Sequence, residues 1–538
     1  METRAARTTG WAVVETLRNY GIDTVFGIPG THNLEFYRPL TALGVRPVTT
    51  RHEQGAGYAA DGWLLQTGKP GVVITTSGPG LLNALSAAGT AYCESRPMIL
   101  LAPGPARGAE FADVGTLHET KDQLAAASAI VEWGRRVSSA EEAVEAVHDA
   151  FALFASGRPR PVYIEVPLDL LEEEAGLGAD ALSAREHAAP PAPDGDAIAE
   201  AARLLAGASD PVILAGGGSR RATAQLRALA ERLGAPVVTT LNGKGVLDEH
   251  HPLSLGANLR LAAARNRARD ADVLLVVGSK LGEAELWVER LEARGRVIRI
   301  DIAASQLGKN QSADVGIVAD AAVALDALIA VLADNGAAEP HRDARVPETL
   351  TAVAAECAEL SAVNTRIADA IVAALPADAI VTTDSSQIAY WGLLNRLRVA
   401  RPNSTPYMAT YATLGYGLPA AIGSRVAEPG RPVVAVVGDG ALMFSLQEFM
   451  TVVEQRLDLT VVVVDNGGYA EIKQNEVDAG IAPIAVDLAQ PDWAALAEAF
   501  GGTGHRASSA EELAAAVAAA ADAGGLHVVH LPQSAFTN

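Results

Sequence analysis

Cysteine is scarce in this chain, with only Cys93 and Cys357 among 538 residues. Two thiols provide no disulfide framework, and their spacing is not that of a metal site. The sequence also lacks a charged segment followed by an apolar leader, and it has no uncharged apolar run of about 18 residues. Neither secretion nor a membrane span is therefore expected, and these absences favour a cytoplasmic protein.

Positive charge is also in short supply. Lys and Arg number 42 against 64 Asp and Glu, which gives a formal net charge of −22. Such a surface argues against nucleic acid as a partner, since phosphate binding needs clustered cations. Nucleotide motifs are absent as well: GDGALM at 438–443 lacks the third glycine of G-x-G-x-x-G, and there is no Walker loop.

The length and the composition breaks predict several domains. A chain of 538 residues with 49% hydrophobic residues can form three or four domains. Two stretches with little periodicity, 171–195 and 333–347, have the composition of linkers. Between them, short apolar strands alternate with helical stretches, which predicts a parallel α/β domain. The predicted domains span 1–175, 190–335 and 350–538.

Two valine-rich stretches end in polar residues. Residues 433–437 lead into Asp439, and residues 459–464 lead into Asp465 and Asn466. Continuous runs of β-branched residues are typical of strands buried on both faces of a parallel sheet. Because neighbouring parallel strands end at the same edge, about 4.8 Å apart, Asp439 and Asn466 are expected side by side.

The segment between these strands completes the pattern. Apolar residues at helical spacing predict a helix over roughly 441–455, so the three elements form a right-handed βαβ unit. Carboxylate and amide oxygens suit Mg²⁺, which takes further ligands from phosphates. The helix opening at Gly440 and Ala441 directs free N–H groups to the same place. Either glycine turn alone would be ordinary, but together they predict a diphosphate held through Mg²⁺.

These residues resemble the metal motif of the thiamine diphosphate enzymes of the pyruvate decarboxylase and acetolactate synthase superfamily, in which GDG is followed by NN. Asp439 and Asn466 match its side-chain ligands, and Gly468 matches its backbone carbonyl ligand. Asp465 stands where the motif usually has Asn, which is not a direct ligand. The resemblance covers essentially the whole chain. It implies three doubly wound parallel-sheet α/β domains: a pyrimidine domain, a central domain and a diphosphate domain.

The resemblance also implies further contacts with thiamine diphosphate. Leu414 matches a bulky apolar residue that forces the cofactor into a bent arrangement, although a plain core residue would look the same in sequence. The central domain of some relatives carries ADP or FAD, and GGGS at 216–219 is either a phosphate cradle or a plain turn. The remaining expected cofactor contacts lie beside the metal motif or follow a strand: Ser385, Ser386, Gly438, Gly440, Ala441 and Tyr469.

A glutamate near the N-terminus has a family-like setting. Residues 48–63, VTTRHEQGAGYAADGW, place Glu53 after a strand and at the start of a helix of small residues. An isolated glutamate there would be an ordinary surface residue that favours the helix dipole. In this setting Glu53 resembles the glutamate that hydrogen-bonds the aminopyrimidine ring and promotes its imino tautomer. His52 is expected to serve structure beside it.

Two loops are expected to complete the catalytic group. FGIPGTHN at 26–33 resembles the first active-site loop of the family and places Thr31 and His32 near the reacting carbon. TTSGPGLLN at 75–83 resembles the substrate-side loop. His118 and His32 are the histidines expected to shuttle protons. The adjacent histidine pair used by some decarboxylases is absent here, because His250 and His251 lie in the central domain.

The implied reaction is non-oxidative decarboxylation of a 2-oxo acid to an aldehyde, through a carbanion/enamine on the cofactor. The alternative is an acetolactate synthase-like carboligase, and the third interpretation is a non-catalytic protein that binds thiamine diphosphate. The expected partners are a small-molecule substrate and further copies of the chain, with no nucleic acid and no membrane. Since Glu53 and Asp439 lie on different domains, the resemblance implies a homodimer or homotetramer with active sites at the subunit interface.

The substrate expectation rests on the loop at 108–137. GTLHETKDQ together with RHEQGAG most resembles the decarboxylases of 5-guanidino-2-oxopentanoate. A buried guanidinium tail needs a carboxylate partner, preferably a bidentate one. Glu119 and Glu471 are the first candidates for this role, although each single acid is more often a solvated surface residue. The other candidates are Glu110, Asp113, Asp122, Glu476 and Asp478.

Overall fold

Three β-sheets of six, six and five strands organise the chain. The computed structural model describes residues 7–537 apart from 188, 191, 335–342 and 344. Each sheet falls within one predicted domain, and the predicted fold class is confirmed. The limits 1–175, 190–335 and 350–538 stay a prediction, and most of the predicted linker 333–347 lies outside the described residues.

The first sheet has the order β2-β1-β3-β4-β6-β5, and all its strand pairs are parallel. Its strands are β1 Thr24–Gly27, β2 Arg46–Thr49, β3 Gly71–Ile74, β4 Met98–Gly104, β5 Trp133–Arg136 and β6 Val162–Pro167. The accompanying helices are α1 Thr9–Asn19, α2 Leu34–Tyr37, α3 Leu40–Leu43, α4 Glu53–Thr67, α5 Pro79–Glu94, α6 Gln123–Ser128, α7 Ala140–Ser156, α8 Leu168–Glu172 and α9 Ala179–Leu182.

The second sheet has the order β12-β11-β10-β7-β8-β9 and is also parallel throughout. Its strands are β7 Pro211–Ala215, β8 Val237–Thr239, β9 Ser254–Gly256, β10 Val273–Val277, β11 Arg296–Asp301 and β12 Val315–Val318. The helices of this part are α10 Gly195–Ala206, α11 Thr223–Leu233, α12 Ala262–Asp270, α13 Glu283–Leu286 and α14 Ala321–Asp334.

Both faces of the second sheet are buried. Ile213 and Ala215 of β7 pack in one apolar cluster, whereas the alternating Val212 and Leu214 pack in another. Successive side chains of a strand point to opposite faces, so a strand covered on both sides is apolar at every position. This alternation is the reason why the short apolar runs of the sequence fold as a doubly wound sheet.

The third sheet has the order β13-β14-β15-β17-β16. Its strands are β13 Ile380–Thr383, β14 Val433–Gly438, β15 Leu459–Asp465, β16 Thr503–Arg506 and β17 Leu526–Pro532. The helices of this part are α15 Arg345–Leu360, α16 Ala362–Ala374, α17 Leu394–Arg396, α18 Gly417–Ala427, α19 Asp439–Leu442, α20 Phe449–Glu454, α21 Ala470–Asp478, α22 Trp493–Ala499 and α23 Ala510–Ala523. One π-helical turn, Ala389–Leu393, precedes α17.

The chain divides into two compact units that do not follow its linear order. The first unit comprises residues 1–189 together with 418–430 and 443–459, and the second comprises 190–417, 431–442 and 460–538. Within the first unit the backbones come very close, because a Cβ added at Gly62 would lie 2.1 Å from the Ala420 carbonyl oxygen. A Cβ at Gly423 would likewise lie 1.8 Å from the Ala59 carbonyl oxygen.

The helix predicted over 441–455 is wrong in one respect. The structure replaces it with α19, a turn at Met443–Ser445, a 3₁₀ segment at Leu446–Glu448, and α20. Ser445 has φ −138°, which is not helical, and Met443 and Phe444 are exposed. The interruption allows the buried Glu448 to bond the backbone ahead of α4, and this tertiary contact overrides local helical periodicity.

Two expected absences can be compared with the structure. No helix within the described residues is both long and apolar enough to cross a membrane. Cys93 and Cys357 are both free thiols, as the sequence predicts, and Cys357 is buried.

Candidate active site

The two predicted metal ligands emerge from adjacent strands. β14 pairs in parallel with β15, and Gly438 lies opposite Val464 in the register. Asp439 and Asn466 therefore follow neighbouring strand ends, as the sequence predicts, and the Asn466 N–H contacts Asp439 Oδ1 at 3.4 Å. The Asp439 side chain is only 1% exposed, and its Oδ2 has no hydrogen-bond partner among the described residues. Such an orphaned buried carboxylate oxygen requires a ligand to satisfy it.

Three oxygen-bearing groups meet at this point. One end of the Asn466 amide lies 3.0 Å from the Gly468 carbonyl oxygen and 3.2 Å from Asp439 Oδ1. Without a cation, the amide nitrogen satisfies both oxygens by donating to them. With the amide oxygen at the same position, three oxygens converge on one point and form a hard-cation site. This set differs from a cluster of three His, Cys, Asp or Glu side chains, of which the described residues contain none suited to a metal.

Small residues leave room around the metal loop. A Cβ added at Gly438 would lie 3.0 Å from Ser386 Cβ, and one at Gly440 would lie 3.0 Å from the Tyr469 ring. Gly468 has φ +139°, and a Cβ there would lie 2.3 Å from the Val486 carbonyl oxygen. Glycine is therefore required at Gly468. The predicted cofactor residues on this side are brought together, and Ser385 and Ala441 adjoin them in sequence.

Asp465, the departure from the family motif, has its own partner. Its Oδ2 lies 2.9 Å from His530 Nε2, and its Oδ1 accepts the Gly467 N–H at 3.0 Å. Burial, and then the charge of Asp465, raises the pKa of Asp439 to about 6. His530 on β17 thus pairs with Asp465, the second acid beside the metal loop. Nothing in the local sequence indicates this pair.

Leu414 lies on a loop that a buried carboxylate holds in place. Asp384 accepts the N–H of Gly415 at 3.2 Å and that of Gly417 at 2.9 Å. Burial raises the pKa of Asp384 to about 6, although these N–H groups lower it. Leu414 itself is half-buried. Its predicted role against the cofactor stays a prediction.

The glycine loop of the central sheet uses its N–H groups internally. Gly216 donates to Val277 O at 2.8 Å and Gly218 donates to Gly278 O at 3.0 Å. Ser219 and Arg220 donate back to Gly216 O and Gly217 O. A phosphate cradle needs free N–H groups, so the geometry favours the plain turn at 216–219.

Glu53 opens α4 in the first compact unit. It is 9% exposed, and its Oε2 accepts the Asn83 amide N–H at 3.0 Å. A Cβ added at Gly80 would lie 3.2 Å from Glu53 Oε1, so glycine keeps this oxygen accessible. Burial, and then the charge of Glu53, raises the pKa of Tyr37. His52 caps α4 by accepting the Gln54 N–H at Nδ1, which confirms its predicted structural role.

The two predicted histidines meet in the same unit. His32 Nδ1 lies 2.6 Å from Ser77 Oγ, and the rings of His32 and His118 pack edge to face at 5.0 Å. His118 Nδ1 in turn lies 3.3 Å from Thr76 Oγ1. Burial, and then the neighbouring His118, lowers the pKa of His32. Thr31 begins a 3₁₀ turn beside His32 and is exposed.

Glu448 holds the backbone just ahead of α4. Its carboxylate is fully buried and accepts the N–H groups of Arg51 at 3.1 Å and His52 at 3.0 Å. Thr451 Oγ1 also donates to it. Burial raises the pKa of Glu448. The residue therefore fixes the entry into the helix whose first residue is Glu53.

The acidic residues considered as partners of the substrate's guanidinium group differ in whether protein donors bind both of their carboxylate oxygens. Glu119 is fully engaged, because its two oxygens accept the N–H groups of Val114 at 3.1 Å and Gly115 at 2.7 Å. Glu471 differs, since Gln387 and Trp391 donate only to Oε2. The remaining acids with described contacts bind their own surroundings: Glu110 binds Arg136, Asp122 caps α6, Glu476 accepts from Ile484, and Asp478 accepts from Gln474.

Several residues of these two groups were not singled out from the sequence. Thr76, Ser77 and Asn83 lie within the quoted loop TTSGPGLLN, so their presence near the site could have been inferred from the family loop. The others have no local signal, because they reach the site from distant strands or helices: Asp384, Gln387, Trp391, Glu448 and His530.

Three family models match successive parts of the chain, each of which contains most strands of one sheet. Residues 7–126 match the N-terminal TPP binding domain of thiamine pyrophosphate enzymes, residues 198–328 match the central domain, and residues 384–531 match the C-terminal TPP binding domain. The chain belongs to the thiamine pyrophosphate enzyme family. The predicted cofactor, thiamine diphosphate, is the same compound, and its binding is supported by the two matched domains.

Relatives with assigned names cover nearly the whole chain. A probable 2-ketoarginine decarboxylase of Pseudomonas aeruginosa is 40% identical over 93% of this chain and 89% of its own length. The acetolactate synthase isozyme 1 large subunit of Escherichia coli is 32% identical over 88% of this chain and 84% of its own. An acetolactate synthase large subunit of Mycobacterium tuberculosis is 30% identical over 93% and 84%. The predicted enzyme class, a thiamine diphosphate-dependent carboxy-lyase, is supported by the family and the first relative.

Proposed function

We propose that this enzyme decarboxylates a 2-oxo acid non-oxidatively to an aldehyde, with 5-guanidino-2-oxopentanoate as the substrate. The observation that carries the substrate assignment is Glu471, which lies three residues after the metal-loop residue Gly468. Its carboxylate is half-buried, one oxygen is held by two neutral side chains, and no described donor reaches the other. Such a group suits a guanidinium tail. The relative named as a probable 2-ketoarginine decarboxylase supports the same assignment.

Two groups of residues would bind the cofactor. Asp439, Asn466 and the Gly468 carbonyl would hold Mg²⁺, which binds the diphosphate. The orphaned Asp439 Oδ2 and the convergent oxygens support this proposal. When bound, thiamine diphosphate supplies a nucleophilic carbon and an electron sink. Glu53 would hold a proton at Oε1, since Asn83 engages Oε2 and no described donor reaches Oε1.

His32 and His118 would manage protons on the substrate side. Ser77 engages Nδ1 of His32, so Nε2 is the ring atom left to give or take a proton. The lowered pKa of His32 keeps the ring neutral near pH 7, where it can act in either direction. Thr31, next to His32, would contact the substrate.

The assembled enzyme would be a homodimer or homotetramer with active sites at the subunit interface. Exposed apolar side chains on each unit support this: Met443 and Phe444 on the first, and Ile472, Val477 and Ile484 on the second. Met443 and Phe444 are adjacent in sequence, and contiguous exposed apolar groups, unlike single ones, mark interaction surfaces.

A carboligase is the second candidate, since the acetolactate synthase relatives cover the chain almost as fully. One assay separates the two. The protein is incubated with thiamine diphosphate, Mg²⁺ and a panel of 2-oxo acids, and carbon dioxide, aldehyde and acyloin are measured together. The proposal expects aldehyde in step with carbon dioxide and the highest kcat/KM for the guanidino acid. Acetolactate from pyruvate as the main product would contradict it.

Neutralising Glu471 tests the substrate assignment directly. Glu471→Gln is expected to lower kcat/KM for the guanidino acid by about 100-fold, because the cation then lacks a charged partner. Small 2-oxo acids have no tail to place there and should be affected much less. Glu119→Gln is the matched control, since both oxygens of Glu119 bind its own loop.

A further inference from the structure

The Glu471 carboxylate is held in an unusual way. Gln387 Nε2 and Trp391 Nε1 both donate to Oε2, each at 3.0 Å. Within the described part of the chain, no donor contacts Oε1. Both donors are neutral, so they orient the carboxylate without cancelling its charge. The result is a fixed anion with one oxygen available to a ligand.

The two donors come from one irregular turn. Gln387 and Trp391 are four residues apart, and Trp391 lies in the π-helical turn Ala389–Leu393. Turns of this kind are rare and occur often at functional sites. The turn follows Ser385 and Ser386 at the carboxyl end of β13, so it belongs to the same sheet edge as the metal loop.

Aromatic side chains pack against the Trp391 ring. Its ring packs against Trp287 at a centroid distance of 4.8 Å and an interplanar angle of 73°. Tyr390 packs against both tryptophan rings at 6.2 Å and 5.7 Å. Arg260 is nine-tenths buried and covers the Trp287 ring at 4.6 Å. Trp391 is half-buried and Trp287 is 37% exposed, so these ring contacts restrict the rotamers of Trp391 and favour one direction of its N–H before a ligand binds.

We propose that Gln387 and Trp391 are positioning residues that determine specificity for a cationic substrate tail by fixing Glu471. This inference rests on the proposed function. A free glutamate must lose rotamer freedom when a guanidinium binds, whereas Glu471 has lost it already. The prealigned charge favours a guanidinium over a neutral group of the same shape, because only the cation gains from the fixed anion.

The test compares two substrates that differ in charge and hardly in shape: 5-guanidino-2-oxopentanoate and its neutral analogue 5-ureido-2-oxopentanoate. The readout is the ratio of their kcat/KM values in the complete enzyme with thiamine diphosphate and Mg²⁺. Trp391→Phe keeps the aromatic packing and removes the N–H, and Gln387→Leu removes the other donor. Tyr390→Phe is the matched control, because it alters the same turn without touching a bond to Glu471.

Each single variant is expected to lower the ratio by about tenfold, the effect of one lost hydrogen bond to a charged group. The loss should appear as a raised KM for the guanidino acid, with kcat little changed. Tyr390→Phe should leave the ratio as it is. Because two different donors are removed separately, one poorly folded variant does not decide the test.

The possible results distinguish a failure of this inference from a failure of the proposed function. A high wild-type ratio that both variants keep overturns the inference and leaves the proposed substrate standing. An equal fall in kcat for both substrates also overturns it, since that pattern indicates a structural role. A wild-type ratio near one overturns the proposed substrate, and the inference with it.

Discussion

At the scale of single residues, the carboxylates of this enzyme divide by the use of their two oxygens. In Glu53, Asp439 and Glu471, side-chain or backbone donors bind one oxygen and the other has no described partner. In Glu119 and Glu448, protein donors bind both oxygens. A buried or half-buried acid with an unused oxygen is unfavourable without a ligand. We therefore expect the first three acids to bind ligands and the last two to maintain structure.

Replacing Asp439 tests the metal loop. Asp439→Ala is expected to weaken thiamine diphosphate binding in Mg²⁺ by about 100-fold or more, because it removes the only charged ligand of the three. Titration calorimetry with and without Mg²⁺ measures the change. Asp465→Asn is the control, since it restores the usual family residue and removes no ligand. Unchanged affinity and Mg²⁺ dependence in Asp439→Ala would refute the metal site.

His32 predicts the acidic limb of the pH profile. Its pKa lies below the ordinary 6.5 because burial, and then His118, disfavours the charged ring. The midpoint of the acidic decline in kcat/KM should therefore lie below pH 6.5. His118→Gln removes the second cause and should move this midpoint to higher pH. His251→Gln, in the central domain, should leave the profile unaltered; a midpoint above pH 6.5 in the wild type would count against His32.

At the scale of elements, the sequence predicted most where local pattern and tertiary structure agree. The apolar runs at 433–437 and 459–464 became β14 and β15, and their parallel pairing placed Asp439 beside Asn466. The helix over 441–455 was wrong because Glu448 bonds a distant backbone, and periodicity carries no information about such a bond. The π-helical turn at Trp391 and the Asp465–His530 pair were not predicted either, because periodicity carries no information about contacts between distant residues.

Loss of the hydrogen bonds between Glu448 and the backbone ahead of α4 is expected to lower the stability of the protein. Glu448→Ala leaves the buried N–H groups of Arg51 and His52 without an acceptor, at about 1–3 kcal/mol for each. For a chain of 538 residues the thermal midpoint is then expected to fall by about 2–5 °C. Glu448→Gln keeps one acceptor oxygen, so its thermal midpoint should fall by less. Glu454→Ala, which removes a surface partner of Arg51, is the control and should have little effect; equal midpoints for all three variants would contradict the role of Glu448.

At the scale of the whole molecule, the residues proposed for the active site belong to different compact units. Glu53, His32 and His118 belong to the first, whereas Asp439 and Glu471 belong to the second. Single-chain sequence patterns identified both groups through the family resemblance. They could not specify the number of subunits, because the exposed apolar residues that support assembly have no periodic signature.

Mixing two defective chains tests whether the site is shared. Glu53→Gln alone is expected to lower kcat by about 10²-fold or more, because the amide cannot take and return a proton. Asp439→Ala alone should lose the cofactor. If active sites form between subunits, randomly mixed dimers of the two variants regain about a quarter of wild-type activity, since half are mixed and each has one intact site.

Co-expression with different affinity tags allows the mixed dimers to be purified and assayed. Mixtures of each variant with itself serve as controls. If the site lay within one chain, every chain would keep its own defect and the mixture would be inactive.

The composition of the first compact unit has a consequence for synthesis on the ribosome. Residues 418–430 and 443–459 pack with 1–189, and at Gly62 and Gly423 the backbones approach too closely for a side chain. Translation adds roughly 5–20 residues each second from the N-terminus. Residues 1–189 therefore cannot complete their packing until the ribosome has synthesised the chain as far as residue 459. A gene fragment that ends after the first sheet encodes a piece with an uncovered apolar face, so recombination can transfer this unit only if it takes all three segments together.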